Sequence, residues 1–128
     1  MRAQITRVYG WLAVLWAGLV VVQVFLAGLG IFGAGSFDAH EAFGSALHGL
    51  TALILLLAIA GPRTGRDIGM SLGLFILVTI QITVVSARDD APGLAALHPV
   101  LALFAMGLAA HIGMHVLRPR RHSFAHQA

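Results

Sequence analysis

The chain of 128 residues contains no cysteine. It therefore has no disulfide, no thiolate metal site and no iron–sulfur cluster, and it cannot attach a heme covalently through a C-x-x-C-H motif. Lysine is also missing, and charged residues make up only 10% of the sequence. With 59% hydrophobic residues and a mean hydropathy of +0.90, this is not the composition of a soluble globular domain.

Acidic residues are equally scarce, and the five that occur lie in loops or at the ends of apolar runs. No Ser/His/Asp nucleophile set can be assembled from them, which excludes a hydrolase of that type. The glycines form no phosphate-binding loop. The pI of 11.2 does not indicate nucleic-acid binding, because the arginines form no basic patch interleaved with aromatic residues.

Four uncharged runs divide the sequence, over residues 8–37, 42–62, 68–87 and 91–117. Each reaches the roughly 20 residues that span about 30 Å of hydrocarbon. The first run is too long for the apolar region of a signal peptide, which has about 7–15 residues. We therefore predict one all-α transmembrane domain over residues 1–128, a four-helix bundle with helices at about 9–32, 41–60, 67–86 and 94–117.

The arginines indicate how this bundle is oriented. In a four-helix topology Arg88 lies on one side of the membrane and all the others lie on the opposite side: Arg2, Arg7, Arg63, Arg66, Arg118, Arg120 and Arg121. The positive-inside rule then places both termini in the cytoplasm. We expect a multi-pass protein of the bacterial cytoplasmic (inner) membrane, in contact with anionic lipid.

One octapeptide pattern occurs twice, as Ala-Leu-His-Gly-Leu-Thr-Ala-Leu over 46–53 and as Ala-Leu-His-Pro-Val-Leu-Ala-Leu over 96–103. Each copy places a histidine, His48 or His98, inside a membrane span, where an ionisable residue is costly and indicates a functional site. The copies predict an internal two-helix pseudo-repeat about an axis along the membrane normal. Gln23 and Gln81, the only amides within the spans, support it.

Two imidazoles at matched depth on opposite sides of such an axis suit a bis-histidine heme iron. We therefore predict a b-type heme in the outer leaflet, with His48 and His98 as its iron ligands. Small and amide residues nearby would leave room for the macrocycle or contact it: Gly44, Ala52, Ala102, Gln23 and Gln81. The alternative is that both histidines bond to Gln23, Gln81, Ser45 or Thr51 and only hold helices together, or that they bind another small ligand.

Several polar residues near the helix ends have more than one interpretation. Glu41 precedes His48 by two helical turns, so it either contacts a ligand and transfers protons or caps helix 2; His40 is a further ligand or a gate. His111 points about 140° away from the His98 face. His111 and His115 are either interfacial residues or a transition-metal pair. Before His98, helix 4 either continues from residue 94 with a kink at Pro99 or starts afresh there.

A four-helix unit with a histidine at the outer ends of helices 2 and 4, and an acidic residue ahead of the first, resembles one half of heme A synthase. The resemblance implies that His48 and His98 are the axial pair and that Glu41 is the catalytic acidic residue. The chain departs from that family because Glu41 is far from its histidine and only one unit is present, where the synthase usually fuses two. It also resembles small four-helix membrane proteins of high-GC bacteria, which have no assigned function.

Three functional classes follow from these features. The first is a redox or heme-handling membrane protein similar to heme A synthase, which as a single unit would work as a homodimer. The second is a small electron carrier that passes electrons between quinol and an outer acceptor. The third is a non-catalytic accessory subunit of a respiratory or transport complex, in which the histidines are structural.

Overall fold

A computed structural model describes residues 1–118. This part of the chain is helical, and it contains four segments that are long and apolar enough to cross a membrane. The predicted all-α four-helix fold is thereby confirmed. The helices are α1 (Arg2–Ile31), α2 (Asp38–Ala60), α3 (Gly65–Ser86), the one-turn α4 (Pro92–Ala95) and α5 (His98–Leu117). Arg120 and Arg121, on which part of the charge asymmetry rests, lie outside the described residues.

Three helices begin earlier than the apolar runs predict. α1 begins at Arg2 and not near Tyr9, because the residues before the span include good helix formers such as arginine, alanine and glutamine. α2 begins at Asp38. α3 begins at Gly65, where Thr64 and Asp67 form a reciprocal capping box that satisfies backbone donors of the first turn.

Pro99, near the start of the last span, decides between the two alternatives for the predicted fourth helix (residues 94–117). The helix starts afresh: α4 ends at Ala95, residues 96–97 form a turn, and α5 begins at His98 with Pro99 as its second residue. Proline has no backbone N–H to continue a preceding helix, but it is well accommodated in a first turn. His98 therefore lies at the start of α5.

The long helices form an antiparallel bundle in which α1 packs against α2 and α5, and α3 packs against the same two helices. α1 and α3 are thus one diagonal pair, and α2 and α5 are the other. We call the end that holds residues 1–7, 63–67 and 117–118 the arginine end, and the end that holds residues 37–41 and 92–98 the histidine end.

The core consists of one narrow buried stripe on each long helix. Buried positions of α1 recur in α3 with a constant spacing of 58 residues, which relates Tyr9 to Asp67 and Trp16 to Leu74. The same spacing relates Leu47, Thr51 and Ile54 of α2 to Ala105, Ala109 and Ile112 of α5. Most large apolar side chains outside these stripes are exposed, as expected of helices surrounded by lipid.

α1 and α5 approach each other closely near the arginine end. A Cβ atom on Gly113 would lie 2.8 Å from the carbonyl oxygen of Gly10 and would collide with the side chain of Val14. Glycine is therefore required at position 113, as is common where two membrane helices pack backbone to backbone. α1 is fixed to α2 by Trp16, whose buried indole N–H donates to the carbonyl oxygen of Leu47 at 2.9 Å.

Candidate histidine site at one end of the bundle

Two histidines meet across the α2–α5 diagonal at the histidine end. His40 lies in the first turn of α2 and His98 is the first residue of α5. Their ring centroids are 6.1 Å apart, and the ring planes are inclined by 67°. Both residues are half-buried. Two helix starts therefore bring two imidazoles into one site.

Each of these rings is held by a main-chain carbonyl of the preceding long helix. Nδ1 of His40 lies 3.1 Å from the carbonyl oxygen of Gln23, and Nδ1 of His98 lies 3.0 Å from that of Gln81. Because a carbonyl oxygen only accepts, Nδ1 must carry the proton in both rings. In the neutral imidazole the lone pair is then on Nε2, which is the arrangement of a metal-binding histidine with a second-shell hydrogen bond.

The amide side chain of Gln23 also contacts His40. Its Nε2 donates to the carbonyl oxygen of His40 at 2.8 Å and lies 3.4 Å from Nε2 of the same ring. The Oε1 atoms of Gln23 and Gln81 are both buried, and neither has a hydrogen-bond partner within residues 1–118. Buried amide oxygens without partners are uncommon and costly. Each of these two oxygens therefore lacks a hydrogen-bond donor that the described residues do not supply.

Small residues lie one helical turn below each ring. Gly44 follows His40 by four residues and lies against the amide of Gln23, because a Cβ at position 44 would be 2.8 Å from Nε2 of Gln23. The corresponding residue below His98 is Ala102, which is half-buried. Ala52, also expected at the site, lies twelve residues beyond His40, or about 18 Å along the helix axis.

The histidine opposite His98 is thus His40, whereas the octapeptide predicts His48. His48 lies about 12 Å farther along α2 than His40. Its ring stacks on Phe75 with centroids 5.1 Å apart, and its Nε2 lies 3.0 Å from the hydroxyl oxygen of Thr79. Binding of a ligand by any of these histidines stays a prediction.

The partner of His48 also fixes its protonation. The Thr79 hydroxyl donates its hydrogen to the carbonyl oxygen of Phe75 at 2.8 Å, so it accepts a hydrogen bond from His48. Nε2 of His48 therefore carries the proton in this arrangement and has no lone pair for a metal. His40 and His98 have the opposite tautomer.

The acidic residues near the site are solvent-facing. Glu41 is exposed, and its backbone N–H donates to the carbonyl oxygen of Phe37 at 2.9 Å. As a carboxylate in the first turn it interacts favourably with the helix dipole. Asp38, two residues before His40, accepts a hydrogen bond from the Ser36 hydroxyl at 2.8 Å.

The second histidine pair lies toward the other end of the bundle. The rings of His111 and His115 are stacked with centroids 6.2 Å apart, and Nε2 of His111 lies 3.4 Å from a guanidinium nitrogen of Arg66. Within residues 1–118, no group of three or more His, Cys, Asp or Glu side chains is arranged to hold a metal ion. Any metal at either pair would need ligands from elsewhere.

A signal for the His40 partner is present in the sequence. Gln23 precedes His40 by 17 residues, and Gln81 precedes His98 by the same 17 residues. The octapeptide directs attention to His48 because its neighbours match by residue type. The spacing of 17 residues instead separates a glutamine from the histidine that lies beside it on the next long helix of the same helix pair.

Comparison with known proteins gives a family but no function. No curated protein and no solved structure is significantly similar to the chain. A family model does match residues 23–87, about half of the chain, and its description is a family of unknown function, DUF6220. The matched segment contains Gln23, His40, Gly44 and Gln81. The chain belongs to the DUF6220 family.

Proposed function

We propose that this protein is an integral membrane heme b protein in which His40 and His98 are the axial ligands of one heme per four-helix unit. The observation that carries the proposal is the neighbouring pair of imidazoles, each with its Nδ1–H bonded to a main-chain carbonyl. This geometry favours His40 over His48 as the partner of His98. The iron would still have two histidine ligands, but His40 takes the place that the sequence analysis gave to His48.

The residues fit such a group. Both rings donate through Nδ1 to a carbonyl oxygen, so each would offer the lone pair of Nε2 to an iron, and the two ring centroids are 6.1 Å apart. Two protein ligands suffice when a porphyrin supplies four nitrogens to the same iron. A bare metal ion would need further side chains, which the described residues do not group together.

The protein's own groups would orient the ligands and adjust their basicity. The carbonyl oxygens of Gln23 and Gln81 fix the tautomer and direction of each ring, and a hydrogen bond at Nδ1 makes Nε2 more basic. The amide of Gln23 lies 3.4 Å from Nε2 of His40, so ligation requires that amide to move away. Bound heme supplies one-electron redox chemistry.

The position of the site supports a function in electron exchange at the outer membrane face. The positive-inside rule places the arginine end in the cytoplasm and the histidine end outside. We infer that the two halves, related by the 58-residue spacing, are a duplicated two-helix unit. A quinol or a respiratory-complex partner could reach a site at this depth from the membrane. Glu41 is exposed beside it and is available for proton transfer.

A second candidate function is that of an accessory subunit with structural histidines. It is favoured by the hydrogen bonds of the site, because His40, His48 and His98 each have a partner within the chain. Polar side chains that bond across helices stabilise membrane bundles without any ligand. Under this alternative, protein made with ample heme is colourless.

Absorption spectroscopy of the protein, purified in mild detergent after expression with heme supplementation, tests the proposal. We expect the Soret and visible bands of low-spin bis-histidine iron, and we expect His40→Ala or His98→Ala to abolish or change them. His48→Ala is the matched control on the same helix and should leave them intact. A colourless wild-type protein, or a loss of the bands in His48→Ala alone, would reject this ligand pair.

We also propose that the four-helix unit associates as a homodimer, which would restore the two-unit architecture of heme A synthase. Gly18 and Gly28 of α1 and Gly69 of α3 have no neighbouring atoms where a Cβ would lie, so these faces are open to a partner helix. Mass measurement in mild detergent tests it. A heme-loaded species with the mass of one chain, persisting at high protein concentration, would exclude the dimer.

A further inference from the structure

A second polar site lies at the arginine end, far from the histidines. A cavity of about 690 Å³ opens there between the start of α1 and the loop after α2. Three of the residues that line it are arginines, and a threonine and a tryptophan lie beside them: Arg2, Arg7, Arg63, Thr6 and Trp11. The proposed function of the histidine end makes no use of this cavity.

The cavity concentrates three arginines, none of which forms a salt bridge within residues 1–118. The only salt bridge within residues 1–118 joins Arg88 to Asp89 at the other end of the bundle. Of the five acidic residues in the whole sequence, only Asp67 belongs to the arginine end. Its Oδ2 atom accepts hydrogen bonds from the backbone and hydroxyl of Thr64. The arginines of the cavity therefore favour an anionic ligand.

Arg63 is held in place by the helices around it. A terminal guanidinium nitrogen donates to the hydroxyl of Thr6 at 2.6 Å, and the guanidinium carbon lies 5.7 Å from the centroid of the Tyr9 ring. Its Nε atom is buried and has no hydrogen-bond partner in the described part of the chain. A guanidinium that Thr6 and Tyr9 hold in one orientation suits recognition of a phosphate group through its terminal nitrogens.

An apolar groove continues from this cavity along the outside of α1. This groove is a shallow depression of about 470 Å³ on α1 alone, lined by Arg7 and Trp11, which it shares with the cavity, and by Val8, Leu12 and Leu15. Trp11 is 62% exposed and Leu15 is 51% exposed. A free phosphate ion gains nothing from such a groove, whereas a lipid with a phosphate headgroup would place an acyl chain in it.

We propose that the arginine end binds an anionic phospholipid, with its phosphate headgroup in the cavity of Arg2, Arg7 and Arg63 and one acyl chain along the groove of α1. Basic pockets between transmembrane helices on the cytoplasmic side are suited to such headgroups. Trp11 lies where the two parts meet, as expected of an amphipathic ring at the membrane interface. The site is independent of heme binding.

Lipid titration followed by native mass spectrometry of the full chain tests the site. Phosphatidylglycerol should bind to one saturable site more tightly than phosphatidylcholine. Arg7→Gln and Arg63→Gln should each weaken that binding about fivefold, the effect of about one basic residue near an anionic surface. Arg118→Gln, which makes the same charge change at the same end but outside the cavity, should leave the affinity unchanged. If Arg63→Gln does not fold, the affinity of Arg7→Gln for phosphatidylglycerol still tests the site.

The groove and the source of the phosphate are tested separately. Leu15→Ser should weaken phosphatidylglycerol binding without changing the net charge, and inorganic phosphate at millimolar concentration should not displace the lipid. Equal affinity for the two phospholipids, or an equal loss in Arg118→Gln, would overturn the site in favour of diffuse surface attraction. Binding of inorganic phosphate that Leu15→Ser leaves unchanged, with no preference for the lipid, would overturn the lipid assignment.

Discussion

Gly44 lies against the side chain of Gln23: a Cβ atom at position 44 would be 2.8 Å from the amide nitrogen of Gln23, so that amide would have to move. The same amide donates to the carbonyl oxygen of His40 at 2.8 Å. The absence of a side chain at position 44 therefore allows α1 to contact the first turn of α2. This contact connects the packing of a helix pair to the position of a candidate ligand.

Alanine substitution at two glycines of α2 separates helix propensity from this contact. Gly49→Ala adds a Cβ into open space, so we expect stabilisation of about 0.5–1 kcal/mol. Gly44→Ala has the same gain in propensity but displaces the Gln23 amide, and we expect it to be less stable than Gly49→Ala by about 1 kcal/mol. Thermal or denaturant unfolding in detergent measures both. Equal stabilisation by the two variants would show that the amide relaxes without cost.

The two glutamines of the site should respond differently to substitution by methionine. In both, the main-chain carbonyl that binds the histidine remains, and a buried Oε1 without a partner is removed. Only Gln23→Met also removes the hydrogen bond from Nε2 to the His40 carbonyl. We therefore expect Gln23→Met to be less stable than Gln81→Met by about 1 kcal/mol. The opposite order in equilibrium unfolding would contradict the hydrogen-bond assignment.

Tyr9 and Ser71 connect the α1–α3 diagonal at the arginine end. The hydroxyl oxygens are 2.8 Å apart, and both lie within hydrogen-bond distance of the carbonyl oxygen of Asp67, Ser71 at 3.0 Å and Tyr9 at 3.4 Å. We expect Tyr9→Phe and Ser71→Ala each to cost about 1 kcal/mol of stability. In a double-mutant cycle, the double variant should lose less than the sum of the two single losses. Strict additivity would mean that the two hydroxyls do not stabilise each other.

The histidines near the arginine end should have no effect on the heme spectrum. His111 and His115 stack on each other and lie away from His40 and His98. His111→Ala and His115→Ala should therefore leave the Soret and visible bands unchanged, while His98→Ala serves as the positive control. Loss of half of the bound heme in either variant would indicate a second heme site toward the arginine end.

The sequence by itself determined the all-α class and the number of helices that are long and apolar enough to span a membrane. Four uncharged runs of about 20 residues favour four helices, because a backbone in hydrocarbon must satisfy its own hydrogen bonds. The breaker pair Gly61–Pro62 ends α2 near the predicted residue. Helix starts were less well predicted, since apolar runs mark the span in the membrane and not the hydrogen-bonded helix, which extends into polar residues at Arg2 and Asp38.

Only the tertiary structure decided which histidines meet. In the sequence, His48 has the stronger resemblance to His98 because their neighbours are of the same type. The pairing depends instead on where each helix begins and which residues face the diagonal neighbour, and those are properties of packing. His40 and His98 lie at corresponding helix starts and bind corresponding carbonyls, whereas His48 lies deeper and bonds to Thr79. The residue types identified the histidines as candidate ligands, and the packing of the helices brought His40 and His98 together.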